Sequence, residues 1–182
     1  MNWKTIASEY LTKYTYFTAR KDKCITPEGK TVEAYYVVEL GLTVCALALT
    51  EDGKAILIKQ YRHPIEETIL EVPGGFVDKN ESAETAIARE LLEETGYEFS
   101  SYEALGKVAA NPGVLDNYTM LFLATGGRKI AEQTLDKNEE IEVVLIPLDE
   151  LVQMLLENKI VQSLHTNCLF YALLKMGKLT IT

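Results

Sequence analysis

Glu90, Glu93 and Glu94 are spaced i, i+3, i+4. On a helix that spacing puts three carboxylates on one face. Like charges so placed repel, and nothing in local helix energetics favours them. A hard divalent cation among them removes the conflict, because Mg²⁺ takes oxygen ligands and keeps several waters. Arg89 adjoins the cluster, and Glu81 stands at the mouth of the helix. Gly96 follows as a helix-terminating glycine in the left-handed conformation. Gly75 lies in a Pro73-Gly74-Gly75 loop, where bare backbone approaches a ligand closely. A solvated, glutamate-rich helix face accounts for any one pair of these glutamates. It accounts poorly for the whole pattern: glycine, glutamate, the Arg-Glu-Leu-x-Glu-Glu run and the closing glycine at set positions between Gly75 and Tyr97.

That stretch resembles the Nudix box, G-x5-E-x7-R-E-U-x-E-E-x-G-U, where U is a bulky apolar residue. The fixed positions are filled by Gly75, Glu81, Arg89, Glu90, Leu91, Glu93, Glu94, Gly96 and Tyr97. Tyr97 is a mild departure, an aromatic with a hydroxyl in the last slot. The resemblance implies a hydrolase that splits a nucleoside diphosphate linked to another group. Glu90 and Glu94 are then the first metal ligands, Glu93 shares the cluster, and the Gly74 carbonyl is a further ligand. Arg89 orients the glutamates through ion pairs, and Glu81 supports them. The implied cofactor is Mg²⁺, two or three ions, with Mn²⁺ as a substitute.

Outside the box, Lys59-Gln60-Tyr61-Arg62-His63-Pro64 and Leu70-Glu71-Val72-Pro73-Gly74-Gly75 are similar to the ADP-ribose and nucleoside-diphosphate-sugar pyrophosphatases. So is Pro112 in Asn111-Pro112-Gly113, although alone it reads equally as a turn. Substrate-binding roles are expected for Arg62, Pro112 and Gly113. Guanidinium geometry matches phosphate oxygens, and Tyr16 or Phe17 is placed to stack a nucleobase. His63, beside Pro64, reads as structural. In similar enzymes a glutamate before the last strand acts as general base. Here that loop reads Asp136-Lys137-Asn138-Glu139-Glu140, which nominates Glu139 with Glu140 second. Many relatives carry an acid where this chain has Asn117. The expected products are a nucleoside monophosphate and a sugar phosphate, from ADP-ribose or from a sugar nucleotide such as GDP-mannose. Two rivals remain: hydrolysis of nucleoside triphosphates or dinucleoside polyphosphates, and ligand sensing without turnover.

The supporting elements follow from the 182 residues, 47% hydrophobic and 25% charged, with a net charge of −9. This is the composition of a globular domain. Its acidity argues against nucleic-acid binding, which needs a basic patch. Cys24, Cys45 and Cys168 are dispersed, so neither zinc nor a disulfide framework is expected. Neither a signal core nor a transmembrane run stands out, and a cytoplasmic protein without membrane contact is expected. Strands are expected over Tyr10–Ala19, Thr31–Leu40, Thr43–Thr50, Ala55–Tyr61, Ile69–Val72, Tyr102–Ala109, Tyr118–Thr125 and Ile141–Pro147. The box helix is expected from Ser82 or Ala83 to Thr95, with Ala83, Ala86, Ile87, Leu91 and Leu92 on its buried side. Gly126–Asn138 reads as a polar loop. Asp149 reads as the N-cap of a helix to Glu157, and a last helix spans Ser163–Met176.

The fold class is therefore α/β, a mixed sheet between helices. The resemblance sharpens this to an α/β/α Nudix sandwich with an N-terminal antiparallel strand extension. One domain over residues 1–182 is expected: 1–40 as the extension and 41–182 as the catalytic fold. The resemblance also implies that the extension packs on a second subunit, in a homodimer acting on a small-molecule nucleotide sugar.

Overall fold

The computed structural model describes residues 1–14 and 17–179. They divide into two units: Met1–Gly41 with Ala109–Tyr118, and Leu42–Val108 with the described residues from Thr119 onward. Tyr16 lies outside the described residues.

The first unit is an antiparallel sheet of β1 (Lys4–Tyr14), β2 (Phe17–Ile25) and β3 (Thr31–Glu39), in that order. The expected strand Tyr10–Ala19 is thus shared between two strands, because its Tyr, Thr and Phe residues suit either arm of a hairpin equally. The Thr26–Gly29 turn forms as expected, with Gly29 N donating to Thr26 O at 2.9 Å. Asp22 is buried in this sheet. It accepts from Ser8 Oγ at 2.6 Å and from Arg20 Nε at 3.0 Å. Arg20 also pairs with Glu39 and reaches Asp116 at 3.5 Å. The loop 109–118 is tied to β3 by Val38 N to Val114 O (2.8 Å) and by Tyr35 OH to Gly113 O (3.0 Å). Asn117 Nδ2 donates to Gly41 O at 3.2 Å, a bond that the acid of many relatives, lacking a donor, would not make.

In the second unit the strands are β4 (Thr43–Thr50), β5 (Lys54–Arg62), β6 (Glu67–Glu71), β7 (Tyr97–Glu98), β8 (Ser101–Val108), β9 (Thr119–Lys129) and β10 (Ile141–Pro147). The helices are α1 (Ala83–Thr95), α2 (Leu148–Leu156) and α3 (Ser163–Lys175). The sheet runs β10-β5-β4-β9-β7, with β6 on β5 and β8 on β9. Among the described strands of this sheet, β4 and β9 pair in parallel and the others antiparallel. β4 is apolar along its length because both of its faces are covered. Cys45, Leu47 and Leu49 pack with Leu151, Leu155, Leu169 and Leu173 of α2 and α3. Val44, Ala46 and Ala48 pack with Ala86, Ile87 and Leu91 of α1. This alternation is the mixed α/β/α sandwich. None of the described helices is long and apolar enough to cross a membrane.

Three local expectations are corrected. β9 runs on through Gly126 and Gly127 to Lys129, where a polar loop is expected. The reason is close approach: a Cβ at Gly127 would lie 2.6 Å from the Phe99 ring. Asp149 sits in the first turn of α2, and Pro147 occupies the N-cap. Leu92 is exposed rather than on the buried side of α1.

Candidate active site

α1 begins at Ser82, whose Oγ accepts from Thr85 N at 3.0 Å, and ends at Gly96 with φ +76°. Both features follow the capping chemistry of the residue types. Between them, Arg89 uses all five of its guanidinium donors. It reaches Glu81 Oε1 and Oε2 at 3.1 Å each, Glu90 Oε1 at 2.9 Å, Glu93 Oε2 at 3.0 Å and Phe76 O at 2.9 Å. The Arg89 guanidinium holds the Glu81 carboxyl below the usual range.

The three box glutamates share a helix face but not an environment. Glu94 is buried and Oε2 accepts from Gly74 N at 2.9 Å. Burial pushes its carboxyl up to about 8, opposed by the Gly74 amide and reinforced by the Glu90 and Glu139 charges. Burial also raises the Glu90 carboxyl, against the pull of Arg89. Glu93 is half-exposed. They do not converge on one point: Glu90 and Glu93 turn to Arg89, and Glu94 turns to the loop. Among the described residues no group of three His, Cys, Asp or Glu side chains stands in metal-ligand geometry.

The backbone opposite this face is shaped for a ligand. Pro73 O accepts from Ala46 N and Gly75 O accepts from Val44 N. Extended backbone alternates its carbonyls, so Gly74 O between them faces away from β4. A Cβ on Gly75 would sit 2.5 Å from the Glu90 carboxyl carbon. A divalent cation fits this donor set: two crowded, partly desolvated carboxylates and a spare carbonyl, with Arg89 committed to its own five bonds and Arg62 to Glu71. Gly75→Ala must swing the Glu90 carboxylate aside. Turnover is expected to fall about a hundredfold, with the thermal midpoint nearly unchanged because the clash is with a flexible side chain. Steady-state kinetics beside a melting curve checks both.

A cavity of about 240 Å³ opens at this point, lined among others by Arg62, Gly74, Gly75, Glu94, Glu139 and His165. Arg62, at the end of β5, donates from Nε to the buried Glu71 at 2.8 Å. Glu139 is part-buried whereas Glu140 is exposed. Of the residues singled out from sequence, Arg62, Gly74, Gly75, Glu94 and Glu139 meet at the cavity. Glu90, Glu93 and Arg89 adjoin it on α1. Phe17, Pro112 and Gly113 are exposed and belong to the first unit. Sequence reasoning passes over Glu71 and His165. Glu71 announces itself only as a charge in an otherwise apolar strand end. His165 has no signal, standing as a lone histidine among Ser163, Leu164, Thr166 and Asn167.

The NUDIX domain family model matches residues 39–165. The chain belongs to the Nudix family. It is a Nudix pyrophosphatase, an enzyme of diphosphate-bond hydrolysis, and Nudix hydrolases generally need a divalent metal. Residues 3–38 match a second model, the nucleoside diphosphate sugar hydrolase N-terminal domain. The chain is 34% identical over 161 residues to the methanol dehydrogenase activator of Bacillus methanolicus, covering 88% of this chain and 86% of that one. It is 31% identical over 173 residues to the ADP-ribose pyrophosphatase of Bacillus subtilis, covering 94% and 93%. A solved structure titled as an ADP compounds hydrolase superposes with a TM-score of 0.85 at 21% identity, over 98% of both chains. That likeness shows the Nudix fold.

Proposed function

We propose that this Nudix enzyme hydrolyses the diphosphate bond of ADP-ribose or a nucleoside diphosphate sugar such as GDP-mannose, giving a nucleoside monophosphate and a sugar phosphate. The observation that carries the reading is a cavity lined by Arg62 together with Glu94 and Glu139. The match of residues 3–38 supports the sugar-nucleotide class.

Arg62 binds a phosphate oxygen, its guanidinium aimed by Glu71. Glu90 and Glu94, with the Gly74 carbonyl and with Glu93 beside them, would hold the cation, two or three Mg²⁺ ions or Mn²⁺ in their place. A cation bound there neutralises diphosphate charge and lowers the pKa of the attacking water. Glu139 takes the proton from that water. Arg89 fixes the rotamers of Glu81, Glu90 and Glu93 through four of its five bonds. Phe17, Pro112 and Gly113 contribute to nucleoside recognition. Ile6, Tyr10, Leu11 and Tyr14 are exposed along the outer strand β1, with Trp3 exposed just before it, which supports residues 1–40 as the homodimer contact. Sedimentation showing a stable monomer would count against that contact.

The test is a substrate panel of ADP-ribose, GDP-mannose, ADP-glucose, UDP-glucose, ATP and a dinucleoside tetraphosphate, with Mg²⁺ present or chelated. Metal-dependent AMP or GMP from the sugar nucleotides is the expected result. Turnover of ATP or the tetraphosphate alone keeps Nudix chemistry and refutes the substrate class. No turnover of any member refutes the enzyme reading in favour of a ligand sensor.

A further inference from the structure

We propose that His165 reads a sugar hydroxyl of the substrate: its Nε2 accepts a hydrogen bond from that hydroxyl while Glu71 holds the ring from behind. The inference deepens the sugar-nucleotide reading above and rests on it.

Glu71 is wholly buried and His165 nearly so. Among the described residues, only Glu71 Oε1 and His165 Nδ1 are sealed side-chain atoms without a hydrogen-bond partner. They face each other at 3.6 Å. A buried polar atom left unpaired is costly, so two orphans aimed at one another define a bond that closes with a small approach. Burial, with the Arg62 charge beside it, pushes the His165 imidazole down to about 3, so the ring is neutral and carries one proton. On Nδ1 that proton satisfies both orphan atoms at once. On Nε2 it would leave two lone pairs opposed in an apolar interior. The neutral ring is therefore the Nδ1–H tautomer, and Nε2 carries the lone pair.

Nδ1 is the sealed nitrogen, turned inward to Glu71, and His165 lines the cavity. The ring therefore presents its Nε2 side to the ligand space as a pure acceptor. Such an atom repels a phosphate oxygen, which offers another lone pair, and selects an O–H donor. The surrounding charges divide the labour. Arg62 from β5 supplies the positive charge for phosphate. Glu94 from α1 and Glu139 from the loop before β10 supply negative charge. His165 from the first turn of α3 is the neutral reader between them. The shared Glu71 fixes the spacing, with Oε2 on Arg62 and Oε1 toward His165. Gln162, the neighbouring acceptor at this end of α3, spends its Oε1 on the amides of Leu164 (2.6 Å) and His165 (3.3 Å).

Two measurements on the full chain test the proposal. The first is the nitrogen-15 spectrum of the imidazoles, simple to assign because the chain has two histidines. His165 is expected as the neutral Nδ1–H tautomer, and an Nε2–H tautomer overturns the proposal. The second compares ADP-ribose turnover with competitive inhibition by inorganic diphosphate, which has no sugar hydroxyl. His165→Asn retains a donor at the Nδ1 position and loses the acceptor at Nε2. It is expected to lower kcat/KM for ADP-ribose about tenfold to a hundredfold, with the diphosphate inhibition constant unchanged. His165→Gln, which returns an acceptor near Nε2, is expected to recover part of the loss. Equal weakening of both ligands, as from lost packing behind Arg62, overturns the proposal, and so does no change in either. A wild type that hydrolyses no sugar nucleotide fails at the earlier step and takes both readings down together.

Discussion

Glu94→Gln is expected to lower turnover at least about a thousandfold and to leave a folded protein. The carboxylate is buried beside Glu90, and Oε2 is bonded to Gly74 N, so it joins the box helix to the loop that supplies the candidate carbonyl ligand. Glutamine preserves shape and an acceptor for that amide while removing the charge a cation needs. Near-normal activity in this variant would sink the metal-site assignment. The same residue predicts the pH dependence of the metal-free protein. Its folded-state carboxyl titrates at about 8, above the unfolded value of about 4.3. The unfolded chain therefore releases the proton first, and stability falls as pH rises from about 4.3 towards 8. Glu71 and Glu90 are shifted in the same direction by burial. In melting curves the metal-free wild type should lose thermal midpoint across that window, and Mg²⁺ should restore it most at the alkaline end. Glu94→Gln should flatten the slope and lose most of the Mg²⁺ response. A wild-type midpoint that rises with pH in chelator would overturn the electrostatic account.

The second large effect separates two adjacent glutamates. Glu139→Gln is expected to lower kcat by about 10² to 10⁴-fold, the usual range for loss of a general base, while Glu140→Gln stays within about twofold of wild type, as for exposed substitutions away from special features. Glu139 lines the cavity, and its charge bears on both Glu90 and Glu94. Its Oε2 also accepts from Asp136 N at 3.1 Å, which stiffens the loop that carries it. Glu140 is exposed. Single-turnover kinetics with ADP-ribose and saturating Mg²⁺ would isolate the step. Equal losses in the two variants would assign this loop a general electrostatic role instead of a base.

These expectations draw on two kinds of information. The box was legible from residue type and spacing because its logic is local. Helix periodicity fixes which glutamates share a face, Ser82 and Gly96 end the helix through their own side-chain and backbone chemistry, and an acidic face demands a cation. A mixed sheet between helices was legible from the runs of strand-like and helical residues, and the resemblance sharpened it to an α/β/α sandwich; in the folded chain β4 is covered on both faces.

Tertiary structure alone decided the rest. It sends Glu94 into the core while Glu93 stays half-exposed, although the two are adjacent in the chain. It leaves Glu139 part-buried at the cavity and Glu140 exposed, because only packing distinguishes neighbours of the same type. It carries β9 through two glycines to meet Phe99. It brings Glu71 of β6, Arg62 of β5 and His165 of α3 together across more than a hundred residues of chain. No periodicity encodes that meeting, since burial and the pairing of polar atoms are properties of the packed chain and not of any segment within it.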